Sequence, residues 1–290
     1  MAGESMSESH ETVQSPDEGS SSNADLVTAR LERLPFARFH LHMASVLSVG
    51  TFFDAFDTVM IGVVLVLVIQ SLHIGSFEAG LLAGGATLGA FLGTYVSGVI
   101  ADRYGRKNAF VFTLLTFGVL SIGSALAWNF ASLIVFRTIQ GVGLGGEVYV
   151  AAVLFGECLK ARTRGRVMGL YESIYAWGQF LAPVVGFLLV STLPPSVSWR
   201  VLFLIGGLPV LMAVYAYFRL PESPRWLAAK GRDEEADRLV SGIEQRVRAR
   251  GGQLAEPEVR YRADTGRTRL LELFSPAYRG RTTAVGCRPS

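Results

Sequence analysis

Six long apolar segments dominate the sequence, and each is long enough to cross a lipid bilayer. A spanning helix needs about 20 predominantly apolar residues, because the hydrocarbon core is about 30 Å thick and a helix rises about 1.5 Å per residue. The predicted spans are residues 41–69, 79–101, 109–128, 131–155, 167–193 and 200–220. A helix also satisfies its backbone hydrogen bonds internally, as the bilayer requires. The sequence therefore predicts an all-α membrane protein with six transmembrane helices.

The composition supports this class and excludes several others. Half of the residues (50%) are hydrophobic, only 18% are charged and the mean hydropathy is +0.37, which is too apolar for an ordinary soluble domain. A net charge of +3 gives no sign of a nucleic-acid partner. The two cysteines and four histidines form no metal-binding or catalytic pattern. We therefore predict that the protein is not an enzyme and holds no cofactor or metal.

The basic residues are distributed unevenly among the connecting segments. Segments 70–77, 128–129 and 193–199 contain no Lys or Arg, whereas 102–107 and 160–166 are rich in both. Cytoplasmic loops of membrane proteins carry an excess of Lys and Arg. The pattern predicts a plasma-membrane protein with both termini in the cytoplasm.

The regions outside the spans are polar. Residues 1–29 have neither the basic start nor the apolar core of a signal peptide, and they are predicted to form a disordered cytoplasmic tail. The six-helix bundle occupies 30–220, and 221–290 is predicted to be a cytoplasmic linker with short helices, including a charged surface helix at 233–249. No seventh apolar span follows.

Glycines recur at helical spacing in the second and fourth spans. Gly80, Gly84, Gly85, Gly89 and Gly93 form repeated G-x-x-x-G steps, which are typical of closely packed membrane helices. In the fourth span, Gly141, Gly143 and Gly146 match the dinucleotide-binding pattern, which requires a soluble strand–turn–helix unit. Because this match lies inside an apolar span, we interpret it as close helix packing.

Four motifs of the sequence point to one family: segments 98–107, 133–143 and 221–227, and Glu157 together with 164–166. The first resembles the loop motif between helices 2 and 3 of the major facilitator superfamily, and the second is similar to its helix 4 motif. Glu157 and 164–166 lie where sugar-porter-like members of that superfamily place such residues. Segment 221–227 looks like the sugar-porter signature that follows helix 6. The residues of a gating loop are then Gly98, Asp102, Arg103, Gly105, Arg106 and Lys107. Those of a cytoplasmic charge network are Glu157, Arg164, Arg166, Glu222 and Arg225.

This resemblance implies a larger architecture than one six-helix bundle. The superfamily fold has twelve helices in two halves, each a 3+3 inverted repeat, with the substrate site between the halves. The chain therefore resembles the N-terminal half, truncated before helix 7. A complete carrier would need the missing C-terminal half or a second copy of the chain.

Five ionisable residues lie at membrane depth, where charges are expensive and commonly functional. They are Asp54, Asp57, Arg137, Glu147 and Glu172. Asp57 lies about 24 Å from the cytoplasmic start of the first span, and Arg137 lies about 9 Å from the outer face. These depths are similar, so we predict that Asp57, either alone or together with Asp54, pairs with Arg137 across a central cavity. An intramembrane aspartyl protease is disfavoured, because its two aspartates come from different helices.

The other carboxyl groups allow more than one interpretation. Glu147 is either a proton relay or a brace for the basic loops, whereas a brace is favoured for Glu157. Glu172 occupies the position at which sugar porters carry a sugar-binding Gln, which argues against hexose transport. Four residues of the fifth span either line a substrate wall or pack against neighbours: Tyr171, Tyr175, Trp177 and Gln179.

These features predict a secondary transporter that couples proton movement to symport of a small organic solute. The segment 54–57 resembles the helix 1 motif of aromatic-acid/proton symporters, so an organic or aromatic acid is the favoured solute. The alternatives are a sugar porter and a membrane-embedded half without transport activity of its own. The expected partners are the solute, protons and the lipid bilayer.

Overall fold

The computed structural model of the protein describes residues 23–257 and 259. This part of the chain is helical throughout, with turns and short connections between the helices. In chain order the helices are α1 (Asn23–Glu32), α2 (Arg38–Leu72), α3 (Ser76–Tyr104), α4 (Arg106–Ala125), α5 (Phe130–Cys158), α6 (Ala161–Thr192), α7 (Pro195–Gly206), α8 (Pro209–Arg219), α9 (Pro224–Ala229) and α10 (Asp233–Arg248).

Six helical segments are long and apolar enough to cross a membrane. Helices α2 to α6 each provide one candidate span, and α7 with α8 provides the sixth, Pro195–Arg219. This confirms the predicted all-α fold with six spans. Several helices extend beyond the predicted limits, as at Arg38 and Cys158, because polar turns can continue a helix past the apolar segment that hydropathy detects.

The sixth span is interrupted, whereas the sequence predicted one helix over 200–220. The helix ends at Gly206 and a new one begins at Pro209. Proline has no backbone N–H to continue the hydrogen-bond ladder. The turn is closed instead by tighter bonds, from the N–H of Gly207 to the C=O of Leu204 and from the N–H of Leu208 to the C=O of Ile205.

Helix α5 is central to the bundle. It packs along α3 and α4, while α2 packs along α6 and α7, and α8 packs against α4. Close approach between α3 and α5 depends on glycine: a Cβ at Gly93 would overlap the backbone of Val142, and one at Gly141 would overlap that of Ala86. Gly80 and Gly84 have no such neighbour within 4 Å, so only part of the predicted glycine pattern lies at a helix contact.

The three helices outside the bundle form a small cluster of their own. Val27 and Leu31 of α1 are buried against Trp226 of α9 and against Val240 and Ile243 of α10. The prediction of disorder over 1–29 is therefore wrong for 23–29, which belong to α1; residues 1–22 lie outside the described residues. The apolar face of α1 is short, and the sequence pattern did not reveal it because the segment before it is polar.

Candidate functional site

A buried ion pair joins α2 to α5 inside the bundle. One guanidinium nitrogen of Arg137, Nη1, donates to Asp57 Oδ1 at 2.8 Å and to Asp57 Oδ2 at 2.9 Å. Gln140, one turn further along α5, donates from Nε2 to Asp57 Oδ1 at 3.0 Å and accepts from Arg137 Nη1 at 3.1 Å. These three residues are at most 2% exposed. Both oxygens of the Asp57 carboxylate are therefore bonded to donors.

Helix α7 covers this ion pair. The ring of Phe203 lies 5.3 Å from the guanidinium carbon of Arg137. Gly206, at the end of α7, lies beside Asp57 and adds no side chain there. The structure thus brings Asp57 and Arg137 together, but inside the bundle between α2, α5 and α7 and not across an open cavity. The helical rise per residue predicts how deep Asp57 and Arg137 lie in the membrane. It does not predict the direction in which their side chains point, because that direction depends on how the helices pack.

Glu147 lies on α5 and is fully buried. Neither of its carboxyl oxygens has a hydrogen-bond partner among the described residues. The carboxyl group fills the space above Gly50 of α2, since a Cβ at that position would overlap it. No cation is paired with it in this part of the chain, so the geometry does not support the interpretation of Glu147 as a brace for the basic loops.

Two further carboxyl groups lie near Glu147. Electrostatic interactions connect it with Asp54 of α2 and with Glu172 of α6. Beside these groups a hydrogen bond between the hydroxyls of Thr51 and Tyr171 joins α2 to α6. Carboxyl groups from three helices therefore interact electrostatically, and none of them forms an ion pair among the described residues.

The residues predicted for the substrate wall lie on an open face of α6. Glu172 and Gln179 are exposed, and neither forms a side-chain hydrogen bond within the described ranges. Tyr175 is partly buried. The structure does not bring Gln179 into contact with Asp57 or Arg137. Tyr171, in contrast, is buried and packs against Phe155 of α5.

The predicted gating loop is held by a network of contacts at the end of the bundle that carries the basic loops. Arg106 bonds Asp102 at 2.6 Å and Glu157 at 3.3 Å, so the brace interpretation of Glu157 fits the geometry. Glu222 accepts from the backbone N–H of Lys107 at 3.0 Å. This carboxylate packs over Gly105, whose φ of 106° favours glycine.

The other residues of the gating loop and of the cytoplasmic charge network have different partners or none. The side chain of Trp226 donates to the backbone oxygen of Asp102 at 3.1 Å. Arg103 and Arg166 are exposed and form no ion pair in the described chain, and Gly98 makes only ordinary contacts. Arg225 and Arg164 approach Glu32 of α1, at 3.0 Å and 3.9 Å. Glu32 was not predicted, because it lay next to a segment interpreted as disordered.

A second charge cluster joins α1 to α10. Arg30 and Arg33 contact the carboxylate of Glu244 at 3.0 Å and 2.6 Å, and Arg30 also pairs with Asp237. Burial raises the pKa of Glu244, but the hydrogen bonds from the two arginines outweigh this effect, so the pKa lies below its ordinary value of 4.5. The same contacts raise the pKa of Arg30, although burial opposes them.

Two features of the sequence indicate further residues of the buried site. Gln140 is three residues after Arg137 and so shares its helix face. Gly50 is the only glycine in the first half of α2, which is a sign of close approach by a neighbouring group. Its partner, Glu147, is distant in sequence and is identified only by the fold.

Residues 43–282 match the family model described as "Sugar (and other) transporter". The niacin transporter NiaP of Acinetobacter baylyi is 37% identical over 221 residues, which cover 76% of this chain and 49% of the relative. The 4-hydroxybenzoate transporter PcaK of the same species is 30% identical over 273 residues, which cover 91% of this chain and 59% of the relative. The major myo-inositol transporter IolT of Bacillus subtilis is 32% identical over 67% of this chain and 41% of its own length.

Among solved structures, the fold is similar to that of the xylose transporter XylE from E. coli in a partially occluded inward-open conformation. The TM-score is 0.63 at 20% sequence identity, over 73% of this chain and 58% of that one. The chain spans about half the length of the curated relatives it matches.

Proposed function

Since the chain belongs to the sugar (and other) transporter family of the major facilitator superfamily, we propose that it forms the proton-coupling half of a symporter for a small organic acid. The observation that carries this proposal is the unpartnered, fully buried carboxyl group of Glu147. An ionised carboxylate without a counter-charge or hydrogen-bond donors is strongly disfavoured in a low-dielectric site. Glu147 therefore holds a proton in this conformation and releases it in another.

The two buried acids have different roles in this proposal. Asp57 is bonded by Arg137 and Gln140, so it serves as the fixed counter-charge of Arg137. Glu147 has neither type of partner and exchanges the proton. The intermediate carriers in this proposal are Asp54 and Glu172, which interact electrostatically with Glu147 and of which Glu172 is exposed.

An aromatic or other organic acid is the proposed solute. The relatives include transporters named for niacin and 4-hydroxybenzoate, both small aromatic acids. Tyr175, Trp177 and Gln179 on the open side of α6 offer aromatic surface and an amide to such a solute. Relatives named for myo-inositol favour the alternative of a polyol or sugar.

Uptake into membrane vesicles tests the transport function. The chain is co-produced with the second six-helix half of its niacin-transporting relative, and uptake of labelled niacin, 4-hydroxybenzoate and myo-inositol is measured. An inward proton gradient should accelerate uptake of the two acids, and Glu147→Gln should abolish that acceleration while exchange of internal for external solute continues. Selective uptake of myo-inositol would support the alternative, and gradient-driven uptake by the Gln variant would contradict the role of Glu147.

Infrared spectroscopy tests the proton on Glu147 without requiring transport. A protonated carboxyl group has a C=O stretching band that a carboxylate lacks. The purified 290-residue chain at neutral pH should show this band, Glu147→Gln should weaken it, and Glu234→Gln, at an exposed position of α10, should leave it in place. A band of unchanged intensity in the Glu147 variant would contradict the assignment.

A further inference from the structure

A groove with basic and aromatic walls lies where the start of α2 meets the end of α10. Its volume is about 370 Å³. One wall is formed by Phe36, Arg38 and His42, and the other by Arg246 and Arg250. Neither the proton site nor the substrate face described above includes any of these residues.

The groove carries positive charge that no acidic side chain neutralises. Arg38, Arg246 and Arg250 are exposed, and none of them forms an ion pair within the described part of the chain. The Nε of Arg246 donates to the backbone oxygen of Gly242 at 3.1 Å, which steadies the side chain and leaves its terminal nitrogens unbonded. No acidic residue lines the groove.

The nearby acids of α10 are engaged elsewhere. Asp237 is paired with Arg30, and Glu244 with both Arg30 and Arg33. These pairs use the acidic residues on the side of α10 that faces α1. The arginines of the groove therefore remain available to an external anion.

The groove also lies at the boundary of the membrane-spanning region. Arg38 is the first residue of the spanning helix α2. Phe36 is 56% exposed and Leu41 is 60% exposed, so apolar side chains flank the arginines. His42 lies within 3.0 Å of the Tyr215 hydroxyl, which places α8 beside this edge of the groove. Aromatic and basic residues at such a level are typical of contact with lipid headgroups.

We propose that this groove binds the phosphate-bearing headgroup of an anionic phospholipid. The arginines bind the phosphodiester, and the acyl chains extend along the exposed apolar side chains of α2 and α8. An arginine fork matches phosphate geometry, and the aromatic side chains pack against the glycerol region. Because the groove joins α10 to α2, the bound lipid would connect the small helical cluster to the bundle.

Lipid binding to the purified 290-residue chain tests this inference. Native mass spectrometry in detergent compares phosphatidylglycerol, phosphatidylcholine and glycerol 3-phosphate. We expect retention of phosphatidylglycerol in preference to phosphatidylcholine, and weak binding of glycerol 3-phosphate. Each basic side chain near a membrane surface contributes about five-fold in affinity to anionic lipid, so Arg246→Gln with Arg250→Gln should weaken binding by roughly twenty-five-fold.

Arg248→Gln provides the matched control. It removes one charge, as Arg246→Gln alone does with an expected loss of about five-fold, but from an exposed position of α10 that does not line the groove. We expect it to leave phosphatidylglycerol binding nearly unchanged. Equal losses in the control and groove variants would show general electrostatic attraction and overturn the proposal. Equal binding of phosphatidylcholine, or of glycerol 3-phosphate as tightly as the lipid, would also overturn it.

Discussion

At the scale of single residues, Asp57 and Arg137 depend on each other because both are removed from water and lipid headgroups. Asp57 is 1% exposed and Arg137 2%, and they are bonded to each other and to Gln140. A buried charge that loses its partner is left with an uncompensated desolvation cost. The pair is therefore a requirement for folding as well as a candidate element of proton coupling.

A double-mutant cycle on this pair measures the dependence. Asp57→Asn or Arg137→Gln alone should each destabilise the bundle by about 3–5 kcal/mol, because each leaves one buried charge unpaired. The combined variant should lose much less than the sum of the two, because neither charge remains. Denaturation of the purified chain in detergent, followed by the accessibility of buried Cys158 to a thiol reagent, gives the stabilities.

Asp54→Asn is the matched control, since Asp54 is on the same helix and forms no ion pair in the described part of the chain. It should have little effect on stability. Additive losses in the Asp57 and Arg137 cycle would show that the charges act independently. Such a result would remove Asp57 from its proposed role as a fixed counter-charge.

How far this site was predictable depends on what each residue reveals by itself. Asp57 and Arg137 stand out because a charge in an apolar segment demands a partner, and helical rise gave them similar depth. The enclosure of the pair by Phe203 of α7 could not be predicted, because it depends on the rotation of each helix about its axis. It could likewise not be predicted that Glu147 has no partner among the described residues, because this depends on which side chains of other helices face it.

At the scale of helices, the α3–α5 contact shows how small residues position the charged side chains. Gly89 and Gly93 of α3 lie against the α5 backbone at Thr138 and Val142, two residues on either side of Gln140. Association of helices in lipid relies on close packing, since the lipid chains are as apolar as the side chains. The position of α5, and hence of Arg137 and Glu147, depends on this contact.

Alanine substitution at two glycines of α3 separates packing from helix propensity. Gly93→Ala should lower the denaturation temperature, because the added Cβ would overlap the backbone of Val142, which cannot move without shifting α5. Gly84→Ala has nothing within 4 Å to meet and should be neutral or stabilising, by up to about 1 kcal/mol from helix propensity. Equal behaviour of the two variants in a thermal denaturation assay would contradict the assigned contact.

Helix identity was more predictable than helix ends or attachments. Apolar length identified all six spans, because the requirement for about 20 apolar residues is strict. The interruption at Gly207 was not predicted, although Pro209 was visible, since proline also occurs inside membrane helices; Pro183 lies within α6. Helix α1 was missed because its stability comes from burial of Val27 and Leu31 against α9 and α10, which are distant in sequence.

At the scale of the whole molecule, charge is distributed along the membrane normal. The ion pairs of Arg106, Arg225 and Arg30 lie in the connecting loops and in the α1, α9 and α10 cluster, at the end of the bundle that carries the basic loops. The positive-inside rule favours a cytoplasmic position for this end. The carboxyl groups of Asp54, Glu147 and Glu172 belong to the spanning helices α2, α5 and α6 and form no ion pair among the described residues.

The last prediction concerns what one six-helix bundle can do alone. Alternating access exposes a site first to one side and then to the other by rocking one bundle against a second. This chain spans about half the length of its relatives, and the six spans found among the described residues pack into one bundle. Liposomes that contain a single copy should therefore show no proton-driven uptake, and uptake should appear when a second bundle is supplied.

Dilution and labelling distinguish the possible sources of that second bundle. If two copies of the chain form the carrier, uptake should rise with the square of protein density, and two fluorophores should bleach in each active liposome. If a different six-helix half is required, uptake should appear only on its co-production and with one fluorophore for each complex. Proton-driven uptake by single, undimerised copies would contradict the prediction. One bundle provides only one wall of a substrate site, and alternating access needs a second bundle to close that site.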